Sequence, residues 1–207
     1  WKILNSADYG VPQFRKRVFI IGVKNSIKNK FTFPDSTHDA SNYVSCKDAL
    51  SDLPSREIEI GNEVEKYNFK TQSHYQKLMN NGCKELFNHV ATNHTEHVKN
   101  VIAQVPEGGN HKDLPPGVGD SRKFNEAWTR YHGDKPSKTI DTGHRNHFHY
   151  KWNRVPTIRE NARLQSFPDN FRFYGTKTKQ NIQVGNAVPP LMAERVALEV
   201  KKVLNDN

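Results

Sequence analysis

The sequence is poor in cysteine and has no long apolar run, and each shortage excludes a class of protein. Cys46 and Cys83 are the only cysteines among 207 residues, too few for a disulfide framework or a four-thiolate zinc site. The longest apolar run, Val18 to Val23, is as long as a strand and far short of the ~18 residues of a membrane span. The first residues do not resemble a signal peptide. We therefore expect a cytoplasmic protein with no membrane contact.

Acidic residues are also in the minority. Lysine and arginine total 31 against 22 aspartate and glutamate, which gives a formal net charge of +9. Such an excess favours a polyanionic partner such as nucleic acid. The length suits one ordinary domain, or a small two-lobed unit, with a buried core. The chain begins with Trp1 rather than methionine, so we expect it to be a piece of a longer protein.

The first quarter of the chain is clearly patterned. Tyr9 to Pro12 has turn chemistry, and Gln13, Arg15 and Arg17 follow at a spacing that places them on one face of an extended chain. The apolar run Val18 to Val23 predicts a central strand that is buried on both faces of an α/β sheet. A short helix is predicted from Ser45 to Leu53, since Pro54 would end it.

Order is lost from Ser55 to about Arg154 and returns near the end of the chain. Thr157 and Glu160 fit a capping box, which predicts a helix that ends before Pro168. A last helix is predicted from Pro189 and Pro190 to about Leu204. Its apolar stripe consists of Ala193, Val196, Ala197, Val200, Val203 and Leu204.

Three stretches have the residue types for binding. Gln13, Arg15 and Arg17 could hold a phosphate or a base edge, or form only a solvated strand end. The helix start after Gly185 could bind a carboxylate or phosphate through free N–H groups, or be an ordinary proline helix start. Between Lys138 and Arg163, basic residues alternate with aromatic ones, as on many nucleic-acid surfaces; a solvated face is the alternative. The aromatic residues are Phe148, Tyr150 and Trp152.

Metal and thiol chemistry are not expected. His144, His147 and His149 stand near Asp141, but their spacing matches no helix-borne ligand pair. Cys46 lies in a predicted helix and Cys83 follows a glycine, so neither has the surroundings of an activated nucleophile.

In their order along the chain, five segments resemble the C-terminal half of the DNA (cytosine-5) methyltransferase family. Gln13, Arg15 and Arg17 match its Gln-x-Arg-x-Arg motif VIII. The other matching segments are the helix Lys47 to Pro54, the Pro-x-x-Thr-Ile element of the target recognition domain at Lys135 to Ile140, motif IX at Thr157 to Asp169, and motif X at Gln183 to Pro190.

Three motifs that precede motif VIII in this family do not occur in the sequence: the Phe-x-Gly-x-Gly cofactor loop, the Pro-Cys nucleophile and the Glu-Asn-Val site. We therefore expect a C-terminal fragment of such an enzyme, or one chain of a split enzyme. The alternatives are the DNA-binding subunit of a split methyltransferase and a non-catalytic DNA-binding module.

The resemblance implies an α/β fold in which pieces of a Rossmann-like catalytic domain flank a small, irregular target recognition domain. The expected segments are 1–56 and 168–207 for the catalytic pieces and 57–167 for the recognition domain. The implied reaction transfers a methyl group from S-adenosylmethionine to C5 of a cytosine flipped out of a specific sequence in double-stranded DNA, in bacterial restriction–modification.

The resemblance also implies roles for single residues. Arg15 and Arg17 are expected around the flipped cytosine and the adjacent backbone, with Arg17 nearer the base. Arg159 and Glu160 are expected to brace the two domains. The expected DNA-binding residues are Gln13, Lys138, Thr139, Ile140, Arg145 and Arg154. The residues expected to close the S-adenosylmethionine pocket are Asn186, Ala187 and Val188.

A piece of this kind would leave part of its sheet uncovered. We expect exposed apolar surface on Val18 to Val23 and on the stripe of the last helix, and such surface tends to find a partner. The expected partner is the missing N-terminal half, a complementary chain, or a second copy of this chain.

Overall fold

The computed structural model describes residues 1–118, 126–143 and 146–205, with only the backbone described for residue 205. Within these ranges short strands and mostly short helices are mixed along the first three quarters of the chain, and three helices follow one another at its end. The helices are α1 (Cys46–Leu50), α2 (His74–Asn80), α3 (Glu96–Gln104), α4 (Ile158–Leu164), α5 (Lys177–Asn186) and α6 (Pro190–Asn205). The strands are β1 (Lys2–Asn5), β2 (Lys16–Phe19), β3 (Val64–Lys66), β4 (Glu85–Phe87), β5 (Thr129–Arg130) and β6 (His147–Phe148).

The strands described form three sheets of two strands each. β1 pairs antiparallel with β2, β3 antiparallel with β4, and β5 parallel with β6. Two-stranded sheets are at best marginally stable alone. Apolar side chains of these strands pack against helices, as Phe19 does against Met192 and Phe148 against Ile102, and this burial stabilises the sheets. Among the described residues, no helix is long and apolar enough to cross a membrane.

The β1–β2 hairpin is buried on one face only. Phe19 and Ile21 pack with Met192 of α6 on the inner face, whereas Val18 and Ile20 are 59% and 80% exposed on the outer face. The predicted strand buried on both faces is therefore wrong, because no described element covers the outer face. The expected exposure of Val18 and Ile20 is confirmed.

Most helix starts follow their sequence signals, but α1 ends at Leu50 rather than at the predicted Leu53, and α5 was not predicted. Ser45 caps α1 in a capping box with Asp48, and the predicted box of Thr157 and Glu160 opens α4. The last helix begins and ends within a residue of its predicted bounds.

The apolar stripe of α6 is only partly exposed. Val196 and Val203 are 5% and 7% exposed, while Leu204 is 57% exposed. The expectation of a bare stripe is wrong for Val196, because that side chain packs with Leu4 and Tyr9 of the hairpin region.

The largest apolar cluster joins α1, α2 and the end of α4 to the segment before residue 141. Leu50, Tyr75, Ile140 and Leu164 are among its buried members. The cluster thus connects side chains from the first and second predicted segments, 1–56 and 57–167, whose boundaries stay a prediction.

Candidate functional site

One buried guanidinium joins three distant parts of the chain. Gln13 and Arg15 lie just before β2, and their side chains are almost fully buried. Arg15 donates from Nη1 to the carbonyl of Ile140 at 3.0 Å and from Nη2 to the carbonyl of Gly185 near the end of α5. The start of β2, the segment leading to residue 140 and the end of α5 therefore meet at Arg15. We call this meeting point the Arg15 junction.

Neighbouring groups strengthen the same junction. Gln13 donates from Nε2 to the Leu164 carbonyl at 3.2 Å, and its Oε1 accepts from the Ile140 N–H at 3.2 Å. The Thr139 hydroxyl donates to the Phe14 carbonyl at 2.7 Å. The structure thus brings together Gln13, Thr139 and Ile140, which were expected to bind DNA. The expected DNA contact of Gln13 does not fit this geometry, because its side chain is fully buried and its amide is engaged inside the protein.

The charge on Arg15 has an unusual setting. No carboxylate pairs with Arg15 among the residues that the structure describes, and its hydrogen-bond partners are neutral oxygens. Burial, and then the positive charge of Arg17, lower the pKa of Arg15 to about 10. The guanidinium therefore remains charged at neutral pH, with carbonyl dipoles offsetting part of its desolvation.

Gly185 is required by the close approach of two backbones at the Arg15 junction. A Cβ at this position would lie 2.6 Å from the Asp141 carbonyl oxygen and 2.9 Å from the Thr142 nitrogen. Only glycine avoids that overlap. The end of α5 therefore lies directly against the segment that follows Ile140.

Two basic residues, Arg17 and Lys138, lie near the Arg15 junction at the surface. Arg17 is half-buried and donates from Nη1 to the Lys16 carbonyl at 2.9 Å. Lys138 is exposed and lies 3.4 Å from a Glu126 carboxylate oxygen. Arg145, another predicted DNA contact, lies outside the described residues.

The segment predicted to close a cofactor pocket connects α5 to α6. Asn186 is exposed, Ala187 is half-buried and Val188 is 43% exposed. All three directly follow Gly185, so they lie next to the Arg15 junction.

A second cluster lies in the interior around α4. Arg154 is 4% exposed and donates to both carboxylate oxygens of Glu160, at 2.7 and 2.6 Å. The predicted DNA contact of Arg154 does not fit this geometry, because its guanidinium is already engaged inside the protein. The side chain of Ile140 is also buried, so it packs in the core rather than facing a ligand.

The arginines of α4 hold neighbouring loops. Arg159 donates to the carbonyls of Phe87, Pro168 and Phe171 at 2.9, 3.2 and 2.6 Å. Arg163 donates to the carboxylates of Asp52 and Asp169.

Sequence reasoning counted Arg163 only as one charge of a basic stretch and missed its partners. The available signal was its position four residues after Arg159, on the same face of one helix.

The aromatic residues near α4 are packed rather than presented to a ligand. Phe148 is 3% exposed and lies in a cluster with Ile102. Trp152 stacks on His149 with ring centroids 6.2 Å apart. The interpretation of this stretch as an open stacking surface is therefore wrong for Phe148, whereas Tyr150 and Trp152 are half-buried.

Two histidines are built into the same interior. The Nδ1 of His149 accepts from the N–H groups of Lys151 and Trp152, and burial lowers its pKa to about 3. His89 donates from Nε2 to the Pro54 carbonyl, and burial lowers its pKa to about 4. Within the described ranges, no group of three or more His, Cys, Asp or Glu side chains could hold a metal ion.

Neither thiol has the setting of a catalytic nucleophile. Cys46 is fully buried, and burial raises the pKa of its thiol well above the usual range. Cys83 donates from Sγ to the Glu85 carbonyl at 3.1 Å. A low-pKa thiolate beside a cation is the usual mark of such a nucleophile.

Comparisons with known proteins agree with these features. The family model of the C-5 cytosine-specific DNA methylases matches residues 1–202. Type II methyltransferase M1.HphI of Haemophilus parahaemolyticus is 39% identical over 98% of this chain and 47% of its own length. Type II methyltransferase M.DdeI of Desulfomicrobium norvegicum is 37% identical over 94% of this chain and 52% of its own length.

A solved structure described as a DNA modification methyltransferase encoded within a prophage (E. coli) superimposes with a TM-score of 0.78. It is 27% identical, and the match covers 99% of this chain and 60% of that one. The expected α/β methyltransferase fold is thereby confirmed, and the chain spans about half the length of the curated relatives it matches. The chain belongs to the C-5 cytosine-specific DNA methylase family.

Proposed function

We propose that this chain supplies the DNA-recognition and site-closing part of a DNA (cytosine-5) methyltransferase of type II restriction–modification. The whole enzyme would act in the cytoplasm on duplex DNA. One observation carries the proposal: the Arg15 junction joins the three segments that resemble motif VIII, the recognition element and motif X. In sequence Arg15 is 125 residues from Ile140 and 170 from Gly185, so their convergence is not a trivial consequence of chain order.

The target atom dictates what such a site must do. C5 of cytosine is a weak nucleophile inside the base stack, so the base has to be flipped out, at a cost of a few kcal/mol. A thiolate that adds to C6 makes C5 more nucleophilic and divides one hard step into two easier ones. We place that thiolate on a part of the enzyme outside these 207 residues, because Cys46 is fully buried and neither Cys46 nor Cys83 follows a proline as in the Pro-Cys motif.

Arg17 is the guanidinium best placed to meet the flipped cytosine and its phosphate. It lies on the same face as Arg15 but is only half-buried, and a guanidinium fork suits both ligands. Arg15 and Gln13 would hold the surrounding backbone in place, and Lys138 and Thr139 would border the DNA.

The residues after Gly185 fit the methyl donor's amino-acid end. Asn186 offers an exposed amide, and the N-terminus of the 16-residue helix α6 follows, whose positive dipole end favours a carboxylate. S-adenosylmethionine, when bound, supplies an electrophilic methyl group. This chain would orient it from one side through Asn186, Ala187 and Val188.

We further propose that α4 braces the recognition segment against the catalytic one. Arg159 bonds carbonyls before and after α4, and Glu160 holds Arg154. These contacts are internal, so they support a structural role.

Transfer of a labelled methyl group from S-adenosylmethionine to duplex DNA tests the proposal. The chain should be assayed alone and together with a methyltransferase half that carries the Pro-Cys motif. We expect transfer only from the mixture, and a loss of at least 100-fold with Arg17→Ala. Lys16→Ala, on the exposed neighbour, is the matched control. Transfer by this chain alone would contradict our placement of the nucleophile.

A non-catalytic DNA-binding module is the second candidate, favoured by the net charge of +9. It would bind DNA with an affinity that falls steeply with salt and would give no transfer with any complementary half.

A further inference from the structure

The turn between α5 and α6 is anchored by two residues that belong to neither helix. Helix ends leave carbonyl and N–H groups without intrahelical partners. Here Gln165 and Ser166, which follow α4, each bond to one backbone group beside the turn. Gln165 is a second donor to the Val184 carbonyl, which also accepts from the Ala187 N–H at 3.3 Å. Ser166 accepts from the Leu191 N–H.

Gln165 serves the end of α5. Its side chain is fully buried, and its Nε2 donates to the Val184 carbonyl. The adjacent Gly185 carbonyl accepts from Arg15. Two of the last carbonyls of α5 are thus bonded by side chains from other parts of the chain.

Ser166 serves the start of α6. Pro189 and Pro190 have no N–H group, and a proline before the helix cannot cap it with a side-chain oxygen. The next N–H, that of Leu191, donates to the Ser166 hydroxyl at 3.1 Å. Ser166 therefore caps α6 from a distant position in the sequence.

The backbone at Ser166 indicates that its hydroxyl matters. Its φ is +62°, in the left-handed region that favours glycine. Its N–H donates to the Arg163 carbonyl and the next N–H, of Phe167, to the Ala162 carbonyl, the Schellman pattern that ends many helices. Glycine is the usual residue at this position, and glycine would leave Leu191 without its acceptor.

We propose that Gln165 and Ser166 are positioning residues for the turn Asn186–Val188, and that the affinity for S-adenosylmethionine depends on them. This inference rests on the proposed function, which assigns that turn to the cofactor pocket. The two residues act through backbone groups and do not touch the cofactor themselves.

Amide hydrogen exchange in this chain tests the anchoring directly. Gln165→Met keeps the side-chain length but removes the donor, and Ser166→Gly removes the hydroxyl while suiting the φ. In Ser166→Gly we expect about 5-fold faster exchange at Leu191, the effect of losing its one hydrogen bond. In Gln165→Met we expect a similar rise at Ala187, because the Val184 carbonyl to which its N–H donates would lose the Gln165 anchor.

The chain offers a close control. Gln180 lies at the other end of α5, donates from Nε2 to the Gly175 carbonyl at 3.1 Å, and has a buried, unpartnered Oε1 like that of Gln165. Gln180→Met should leave the turn unchanged. Ser73→Gly removes a helix cap from α2 and should also leave it unchanged.

The second measurement is binding of S-adenosylmethionine by equilibrium dialysis to the chain assembled with its complementary half, without DNA. We expect the Kd for S-adenosylmethionine to rise about 5-fold in both variants. In steady-state assays of the same assembly the KM for S-adenosylmethionine should rise equally, with kcat and the KM for DNA little changed. Variants no weaker than Gln180→Met would overturn the inference. If the unsubstituted assembly binds no S-adenosylmethionine, the proposed function fails as well.

Discussion

The region around α4 and the β1–β2 hairpin differ in how far this chain pairs their buried charges and covers their apolar side chains. All seven residues of α4 are buried, and its charged side chains pair with Arg154, Asp52 and Asp169 of the same chain. The hairpin has a buried Arg15 with no paired carboxylate among the described residues, and apolar side chains on its bare outer face. The charged side chains of α4 are paired within this chain. The hairpin has exposed apolar side chains, which are typical of an interface.

The two regions differ because other parts of this chain pack around α4 on all sides, whereas they cover only one face of the hairpin. Buried charges are usually paired and hydrogen-bonded, and the charged side chains of α4 find such partners within the described residues. The hairpin is a sheet of two strands, and a two-stranded sheet has no second layer of its own. The chain spans about half of its relatives' length, and we propose that the remainder of the methyltransferase covers the outer face of the hairpin.

The largest expected effect on the free energy of unfolding tests whether the ion pairs of α4 stabilise the fold. Arg163→Met would leave the buried carboxylate of Asp52 without its cation and that of Asp169 with only Arg159, 3.8 Å away. We expect the free energy of unfolding to fall by about 3–5 kcal/mol, measured by urea denaturation.

The exposed Arg195 of α6 provides the control. Arg195→Met should change the unfolding free energy by no more than about 0.5 kcal/mol. Equal effects of the two substitutions would show that the α4 ion pairs do not stabilise the fold.

A smaller effect is expected from pH. His149 and His89 have folded pKa values of about 3 and 4, against about 6.5 in an unfolded chain. Between these values the unfolded chain binds protons that the folded chain does not, so the free energy of unfolding falls as the pH drops below about 6.5. The stabilisation is fully present above that pH.

His149→Asn checks this, because its amide oxygen can replace the Nδ1 acceptor without titrating. We expect the loss of stability between pH 7 and pH 5 to shrink by about 2 kcal/mol in this variant. His97, exposed on α3, is the control position for an asparagine substitution. A pH dependence identical to that of the unsubstituted chain would contradict the assigned role.

Local signals predicted the secondary structure better than they predicted exposure. The capping box of Thr157 and Glu160 depends on neighbouring residues, so the start of α4 could be read from the sequence. The burial of Arg154 could not, because a list of charges does not reveal that Glu160 will accept both of its N–H groups. The prediction of a strand buried on both faces, made from the apolar run alone, was wrong for the same reason: a strand's burial depends on layers that lie elsewhere in the sequence.

The smallest expected effect on stability sharpens the comparison from the side of the hairpin. Val18 and Ile20 face outward, so the double variant Val18→Lys, Ile20→Lys should change the unfolding free energy of this chain by no more than about 0.5 kcal/mol. Phe19→Lys, directed at the core beside Met192, should cost several times more. The outward variant should nevertheless abolish binding to the complementary methyltransferase half in analytical ultracentrifugation. The contrary result is a loss of unfolding free energy in the isolated chain whose size depends on protein concentration. The outer face would then be covered by a second copy, and the hairpin would be an interface between identical chains.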